Sequence, residues 1–137
     1  NLDLNSPYCY MVLAKYFADT CVVAEKEGAL VAFASAFIPP TARDTLFVWQ
    51  VAVSPGERGR GLGKRLLFAL LKRECCSGVR YLEATVTPSN TASRALFRGV
   101  ARELEAPCAT SEGFAASIFP GGSHEEEVLY RIGPFST

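Results

Sequence analysis

The chain has few of the side chains from which metal centres and disulfide frameworks are built. It contains a single histidine, His124, and five cysteines without a C-x-x-C pair. Cys75 and Cys76 are adjacent, which suits neither a disulfide framework nor a zinc cage. The sequence therefore predicts no metal site, and it predicts free thiols in a reducing compartment.

The chain also lacks net charge and long apolar runs. Its 14 Lys and Arg residues balance its 14 Asp and Glu residues, so no chain-wide basic surface for nucleic acid or an anionic membrane is expected. Apolar runs such as residues 29–34 are far shorter than the roughly 20 residues of a membrane span. No charged-then-apolar leader opens the chain. We therefore expect a cytoplasmic protein with neither nucleic-acid nor membrane partners.

Strand and helix patterns alternate along the chain and predict an α/β fold in one domain, residues 1–137. With 137 residues, 49% of them hydrophobic, the chain is long enough to bury a single core. Apolar periodicity within residues 1–20 predicts a helix. The other predicted elements are strands Cys21–Ala24, Leu30–Ile38, Thr45–Val53, Tyr81–Thr87 and Glu127–Ile132, helices Leu62–Leu71 and Thr91–Leu104, and an irregular segment, residues 106–123.

A glycine-rich loop between the predicted strand Thr45–Val53 and the amphipathic helix that follows it is the most informative segment. Glycines allow positive φ and close approach to a ligand, and the free N–H groups of a helix start attract anions. A merely tight turn would need one glycine, whereas this loop has three in five residues, flanked by cations. We therefore predict phosphate binding. The loop residues concerned are Arg58, Gly59, Arg60, Gly61, Gly63 and Lys64.

Two familiar phosphate-binding motifs are excluded by spacing. A Walker P-loop would need glycine and Ser or Thr where the chain has Arg58 and Arg65. A dinucleotide fingerprint, G-x-G-x-x-G, would need glycine where the chain has Lys64 or Leu66.

The spacing of Arg58, Gly61 and Gly63 instead fits the acyl-coenzyme A motif R/Q-x-x-G-x-G/A, and the chain resembles the GNAT acetyltransferase superfamily. The agreement in element order extends over residues 45–100 and includes Asn90 at the start of a second helix. The resemblance implies a GNAT fold: a mixed central sheet with a bulged, splayed strand pair, flanked by helices. It also implies acetyl-CoA as co-substrate.

The same resemblance implies roles for individual residues. Main-chain groups near Val51 and Val53 would bond the pantetheine amides, and N–H groups of residues 58–64 would bind the pyrophosphate. Asn90 would face the thioester. Many members have a tyrosine seven residues after this asparagine, where it protonates the leaving thiolate, but this chain has Phe97. No general acid is therefore assigned; Tyr8, Tyr130 and water remain open, as does unassisted departure of the thiolate.

Four longer segments resemble the family of L-2,4-diaminobutyrate acetyltransferases, which serve synthesis of the osmolyte ectoine. They are residues 1–8, 44–55, 78–97 and 124–134. The resemblance implies acetylation of the γ-amino group, a homodimer, and a further strand and helix before the first segment. The exposed final strand also favours a homodimer, because edge strands often pair. Ornithine, lysine and polyamines remain open as acceptors, and so does a non-catalytic acyl-CoA sensor.

The acceptor's chemistry identifies further candidate residues. An ammonium group has a pKa of about 10.4, so attack near pH 7 first costs roughly 4–5 kcal/mol of deprotonation. The site must lower this cost by desolvation or a positioned base, and it must hold the second ammonium with a carboxylate. The candidates are the carboxylates Asp3 and Glu127, with Asp19, Glu83 and Asp44 behind them, the aromatic walls Tyr8 and Trp49, and the bases Glu127, His124 or a water chain.

Each candidate has a plainer alternative. Asp3 could cap a helix, Trp49 could lie in the core, and residues 124–127 could form a solvated loop. Within that run we assign Glu125 and Glu126 to the surface.

Overall fold

A six-stranded mixed sheet forms the centre of the fold in the computed structural model, which describes residues 5–136. Only β3 and β4 pair in parallel; all other neighbouring strands are antiparallel. The spatial order is β1-β2-β3-β4-β6-β5. The strands are β1 (Cys21–Lys26), β2 (Ala29–Phe37), β3 (Thr45–Val53), β4 (Tyr81–Val86), β5 (Cys108–Phe114) and β6 (Glu127–Ile132).

Three α-helices cover the two faces of this sheet. α2 packs on β1, β2, β3 and α3, which places α2 and α3 on one face. Val51 points toward α2, whereas Gln50, the preceding residue of β3, contacts α1 and so marks the opposite face. Within residues 5–136, no helix is long and apolar enough to cross a bilayer. The helices are α1 (Pro7–Tyr16), α2 (Leu62–Leu71) and α3 (Thr91–Leu104).

The core lies between α2, α3 and the sheet. α2 buries four leucines on one side, as its 3.6-residue apolar stripe predicts. Removing such a side chain from water contributes about 1.5–3 kcal/mol. The fully buried large side chains include Leu46, Leu67, Leu70, Leu82, Val100 and Ile132.

β3 separates from β4 halfway along its length. The two strands pair from Thr45 opposite Tyr81 to Val48 opposite Ala84, but β3 continues to Val53. At the same level the β2–β3 register shifts, so that Trp49 is an extra residue on β3. A bulge of this kind bends the strand that carries it. The predicted bulged and splayed strand pair is therefore present.

The structure confirms the α/β fold, the helix predicted within residues 1–20, and the bounds of β3 and α3. The prediction that residues 106–123 are irregular is wrong, because Cys108–Phe114 forms β5. Its sequence, CATSEGF, has little apolar alternation and its side chains are mostly exposed, so pairing with β6 creates the strand. The expectation that the final strand is exposed is also wrong: β6 lies between β4 and β5, and β1 and β5 are the edges.

Gly113 offers a test of how tightly β5 and β6 approach. A Cβ atom at this position would lie 2.5 Å from the carbonyl oxygen of Glu127 and 3.2 Å from the amide nitrogen of Leu129. Because both are backbone atoms, the strands would have to shift. We expect Gly113→Ala to lower the free energy of unfolding by about 1–3 kcal/mol in urea denaturation.

Gly99→Ala in α3 is the matched control, because the nearest atom to its added Cβ is Arg102 Nη2 at 3.8 Å. Alanine is the better helix former, so this variant should keep or slightly raise stability. Equal losses in the two variants would contradict the close approach of the strands.

Candidate active site

The N-terminus of α2 presents unbonded N–H groups to a ligand. Gly59 and Gly61 have φ of +79° and +71°, and Gly61 is the N-cap, with no side-chain hydrogen bond capping the helix. The first helical bond runs from the Arg65 N–H to the Gly61 carbonyl, 3.0 Å. The N–H groups of residues 62–64 therefore precede the helical ladder and form an anion site.

This anion site lies against the separating strand. A Cβ atom on Gly63 would lie 3.5 Å from Val51 Cγ1 and 3.6 Å from the Leu96 methyl groups. The first turn of α2 thus packs between β3 and α3. A ligand bound there by phosphate can extend directly into the opening between β3 and β4.

Arg58 ties the loop to the end of β3. Its Nε donates a 3.2 Å hydrogen bond to the carbonyl oxygen of Val53. The carbonyl of Val53, one of the predicted pantetheine-binding groups, therefore already accepts a hydrogen bond from the protein. Val51 has its side chain toward α2.

The other cations of the loop form ion pairs at the surface. Glu57 lies 3.1 Å from Lys26 Nζ and 3.5 Å from Arg60 Nη1. Lys64 Nζ lies 3.8 Å from Glu103. Because the cations of these pairs are exposed, each pair contributes little to stability, and the cations can bind a phosphate in place of a carboxylate at low cost.

Asn90 lies at the opposite side of the opening. It follows the carboxyl end of β4 and caps α3, because its Oδ1 accepts a 3.1 Å hydrogen bond from the Ser93 N–H. Its own N–H donates to the Thr87 carbonyl, 3.0 Å. These bonds fix the position of Asn90 beside the end of β4.

His124 and Glu127 come together at the same end of β4. The His124 ring stacks on Phe119 with centroids 4.0 Å apart, and its Nε2 lies 3.7 Å from Glu127 Oε2. Its Nδ1 lies 2.5 Å from the backbone carbonyl of Glu125. Because a carbonyl only accepts, Nδ1 carries the proton, and Nε2 faces the Glu127 carboxylate.

Strand pairing places Glu127 at the carboxyl end of β4. It is the first residue of β6, and the pair Val86–Val128 sets β6 alongside the end of β4. β3 has already separated from β4 at that level. Glu127 and Asn90 therefore lie near the same end of β4.

The predicted aromatic walls lie on separate elements. Trp49, at the bulge, is 42% exposed, so it does not lie in the core. Tyr8 lies in the first turn of α1 and is 73% exposed. Asp3 lies outside the described residues.

Sequence reasoning missed a polar group on the α1 face beside the bulge. The Tyr10 hydroxyl donates to Gln50 Oε1 at 3.4 Å, and Ser35 is directly opposite Gln50 in the β2–β3 register. Ser35 is buried, and its Oγ has no hydrogen-bond partner within the described chain. Such groups are typical of functional sites. The signal was the single glutamine within the apolar run TLFVWQVAV.

The weaker carboxylate candidates are engaged elsewhere. Glu83 forms a 2.6 Å ion pair with Arg131 near the start of β4. Asp44 accepts a 3.0 Å hydrogen bond from the Thr45 hydroxyl at the start of β3. Asp19 lines a concavity with residues 73–75.

Phe97, which occupies the position of the superfamily's tyrosine, lies in the core at 4% exposure. Tyr130 is nearly as buried, and the Arg98 guanidinium lies 5.6 Å above its ring. Both rings therefore serve packing between α3 and the sheet.

Two of the cysteines, Cys76 and Cys108, are thiols of raised pKa rather than activated nucleophiles. Burial, reinforced by the neighbouring Cys75, raises the pKa of the Cys76 thiol to about 12, and burial also raises the pKa of Cys108. All five cysteines are free thiols. Among residues 5–136, no three His, Cys, Asp or Glu side chains group together as a metal site.

The sequence profile of the acetyltransferase (GNAT) family matches residues 3–100. An L-2,4-diaminobutyric acid acetyltransferase of Marinococcus halophilus is 54% identical over 135 residues, covering 98% of this chain and 78% of that protein. Its counterpart from Halalkalibacterium halodurans is 53% identical, covering 97% of this chain and 70% of that protein.

A solved structure of a protein with the same activity as these relatives also matches this chain. It is diaminobutyrate acetyltransferase EctA from Paenibacillus lautus in complex with its substrate L-2,4-diaminobutyric acid and coenzyme A. It is 52% identical to this chain with a TM-score of 0.95, and the match covers 99% of this chain and 82% of that one. The chain belongs to the acetyltransferase (GNAT) family.

Proposed function

We propose that this protein transfers the acetyl group of acetyl-CoA to the γ-amino group of L-2,4-diaminobutyrate, a step of ectoine synthesis. The observation that carries the proposal is the anion site of α2, which opens onto the splayed β3–β4 pair. The same architecture matches, at a TM-score of 0.95, a relative solved with diaminobutyric acid and coenzyme A.

The loop before α2 is suited to the phosphates of acetyl-CoA. The N–H groups of residues 58–64 bind the pyrophosphate, with Arg60 and Lys64 supplying positive charge. A Cβ on Gly59 or Gly61 would meet no atom within 4 Å, so the approach to the loop backbone is open. The two glycines are needed for their positive φ rather than for packing.

The pantetheine arm lies along β3, and the thioester lies near the bulge. Backbone groups near Val51 and Val53, apart from the Val53 carbonyl that Arg58 engages, bond the arm, since β4 leaves this stretch unpaired on that side. Asn90 faces the thioester from the end of β4. The reacting carbonyl then lies between the two strands.

We propose that Asp3, Tyr8, Trp49 and Glu127 bind the acceptor. A carboxylate holds the ammonium that does not react, and the exposed Trp49 ring provides an apolar and cation–π wall. The polar group on the α1 face lies beside the same bulge.

The reaction is direct attack of the amine on the thioester in a ternary complex. His124 or Glu127 takes the proton of the reacting ammonium, which offsets part of the roughly 4–5 kcal/mol cost of deprotonation at pH 7. A C–N bond forms, the C–S bond breaks, and the thiolate leaves with the electron pair. No cysteine takes part.

A panel of acceptors tests this proposal. With acetyl-CoA throughout, we expect kcat/KM for diaminobutyrate to exceed that for 2,3-diaminopropionate, ornithine and lysine by at least about tenfold, because one methylene changes selectivity by roughly 10–200-fold. Coenzyme A release gives the rate, and product mass and NMR give the acetylated nitrogen.

1,3-Diaminopropane, which lacks only the carboxylate of diaminobutyrate, is the matched control and should react poorly. Preference for ornithine, lysine or a polyamine would contradict the proposed acceptor but would leave the proposed acetyl-CoA site unchanged. Tight acetyl-CoA binding without turnover of any amine would indicate a sensor.

We further propose that the enzyme is a homodimer that pairs through β5. This strand is an edge of the described sheet, and its sequence is self-complementary in antiparallel pairing about Ser111. In that register Thr110 of one copy is opposite Glu112 of the other, so no like charges meet. A two-fold axis then closes the assembly.

Light scattering after size exclusion tests this interface. We expect twice the 14.8 kDa mass of the chain. Ser111→Glu places two carboxylates opposite each other and should yield monomer, whereas Thr110→Lys places a cation opposite Glu112 and should keep the dimer. Dimers in both variants would exclude this interface.

We also propose a cytoplasmic location. Five free thiols support it, because thiols persist in reducing compartments. Fractionation of the source cells would check the assignment, and recovery of the enzyme outside the cytoplasm would contradict it.

A further inference from the structure

The side chain of Glu125 ties together two segments that border the candidate active site. The Ser89 N–H donates to Glu125 Oε1 at 3.3 Å, and the Ser89 hydroxyl donates to Oε2. Ser89 immediately precedes Asn90, the residue that faces the thioester in the proposed function. The sequence assigns Glu125 to the surface, and it is exposed, but both its carboxylate oxygens are engaged.

The backbone of Glu125 holds His124. Its carbonyl accepts the hydrogen bond from His124 Nδ1 at 2.5 Å. The Phe119 ring stacks on the imidazole at an interplanar angle of 11°, which leaves Nε2 directed at Glu127, 3.7 Å away. One residue thus contacts the turn before α3 through its side chain and the imidazole through its main chain.

We propose that Glu125 is a positioning residue for His124. Its carboxylate, bonded to Ser89, anchors the backbone carbonyl that accepts from His124 Nδ1, and so it keeps the Nδ1–H tautomer and holds the imidazole beside Glu127. This inference rests on the proposed function in one respect: there His124 or Glu127 takes the proton of the acceptor amine.

A stabilising role alone does not account for this arrangement. Ser89 and Glu125 are both exposed, and substitutions at exposed positions usually change stability little. The tautomer of a histidine, in contrast, depends on the hydrogen bond that its other nitrogen makes. Loss of the anchor should therefore change the chemistry of His124 more than the stability of the fold.

The chain offers a direct readout because His124 is its only histidine. In imidazole nitrogen-15 NMR of the labelled full chain, every histidine signal belongs to this residue. We expect the wild-type protein, with the ring neutral, to show a proton on Nδ1 and none on Nε2. In Glu125→Ala the ring should exchange between its two neutral tautomers. The kcat for diaminobutyrate should fall about tenfold, which is part of the 10²–10⁴-fold rate increase typical of general base catalysis.

Glu126→Gln is the matched control, since it changes the neighbouring exposed carboxylate and leaves the anchor intact. Its tautomer and kcat should equal those of the wild type. Ser89→Ala removes only the hydroxyl donor. It should change the tautomer population and kcat in the same direction as Glu125→Ala, but by a smaller amount. The KM for acetyl-CoA should change less than twofold in all three variants, because the loop before α2 is untouched.

The proposal is overturned if Glu125→Ala retains the wild-type tautomer and the kcat of Glu126→Gln. If Glu125→Ala does not fold, Ser89→Ala decides in its place: the wild-type tautomer and the kcat of Glu126→Gln in that variant would overturn the proposal. Failure of the wild type to acetylate diaminobutyrate would contradict the proposed function, whereas the NMR result would still test the role of Glu125.

Discussion

The separation of β3 from β4 after Val48 is the constraint on which the rest of the site depends. A parallel pair that continued to Val53 would satisfy the backbone of both strands and leave no room for a ligand. The extra residue at Trp49 bends β3 away and leaves part of its backbone to be bonded by a molecule with amides of its own. Because the first turn of α2 packs against Val51 of β3, its N–H groups lie at the mouth of this opening.

The two faces of the sheet have different roles. α2 and α3 bury the core on one face and supply the anion site and Asn90. On the other face α1 has no fully buried residue, and the polar group around Gln50 lies beneath it. A donor held along β3 can thus meet an acceptor near the bulge. Direct transfer between two bound substrates needs no nucleophile from the protein, which agrees with the raised pKa of Cys76 and Cys108.

The features that the sequence predicted are those encoded locally. The spacing from Arg58 to Gly63 and the leucine stripe of α2 depend on neighbours a few residues apart, so the loop and helix followed from the sequence. β5 could not be predicted in this way, because the segment CATSEGF becomes a strand only through its pairing with β6. The role of Glu125 was also missed, since it depends on contact with Ser89, 36 residues away in sequence. Gln50 could have been found, as a polar residue within an apolar strand.

The most direct test of this account is amide hydrogen exchange with and without coenzyme A. Residues 59–64 carry the N–H groups that precede the ladder of α2, and residues 49–53 are unpaired on the β4 side. Bound coenzyme A should slow exchange in both segments and leave α1 unchanged. Protection confined to other segments, with unaltered exchange at residues 59–64, would contradict the placement of the donor between β3 and β4.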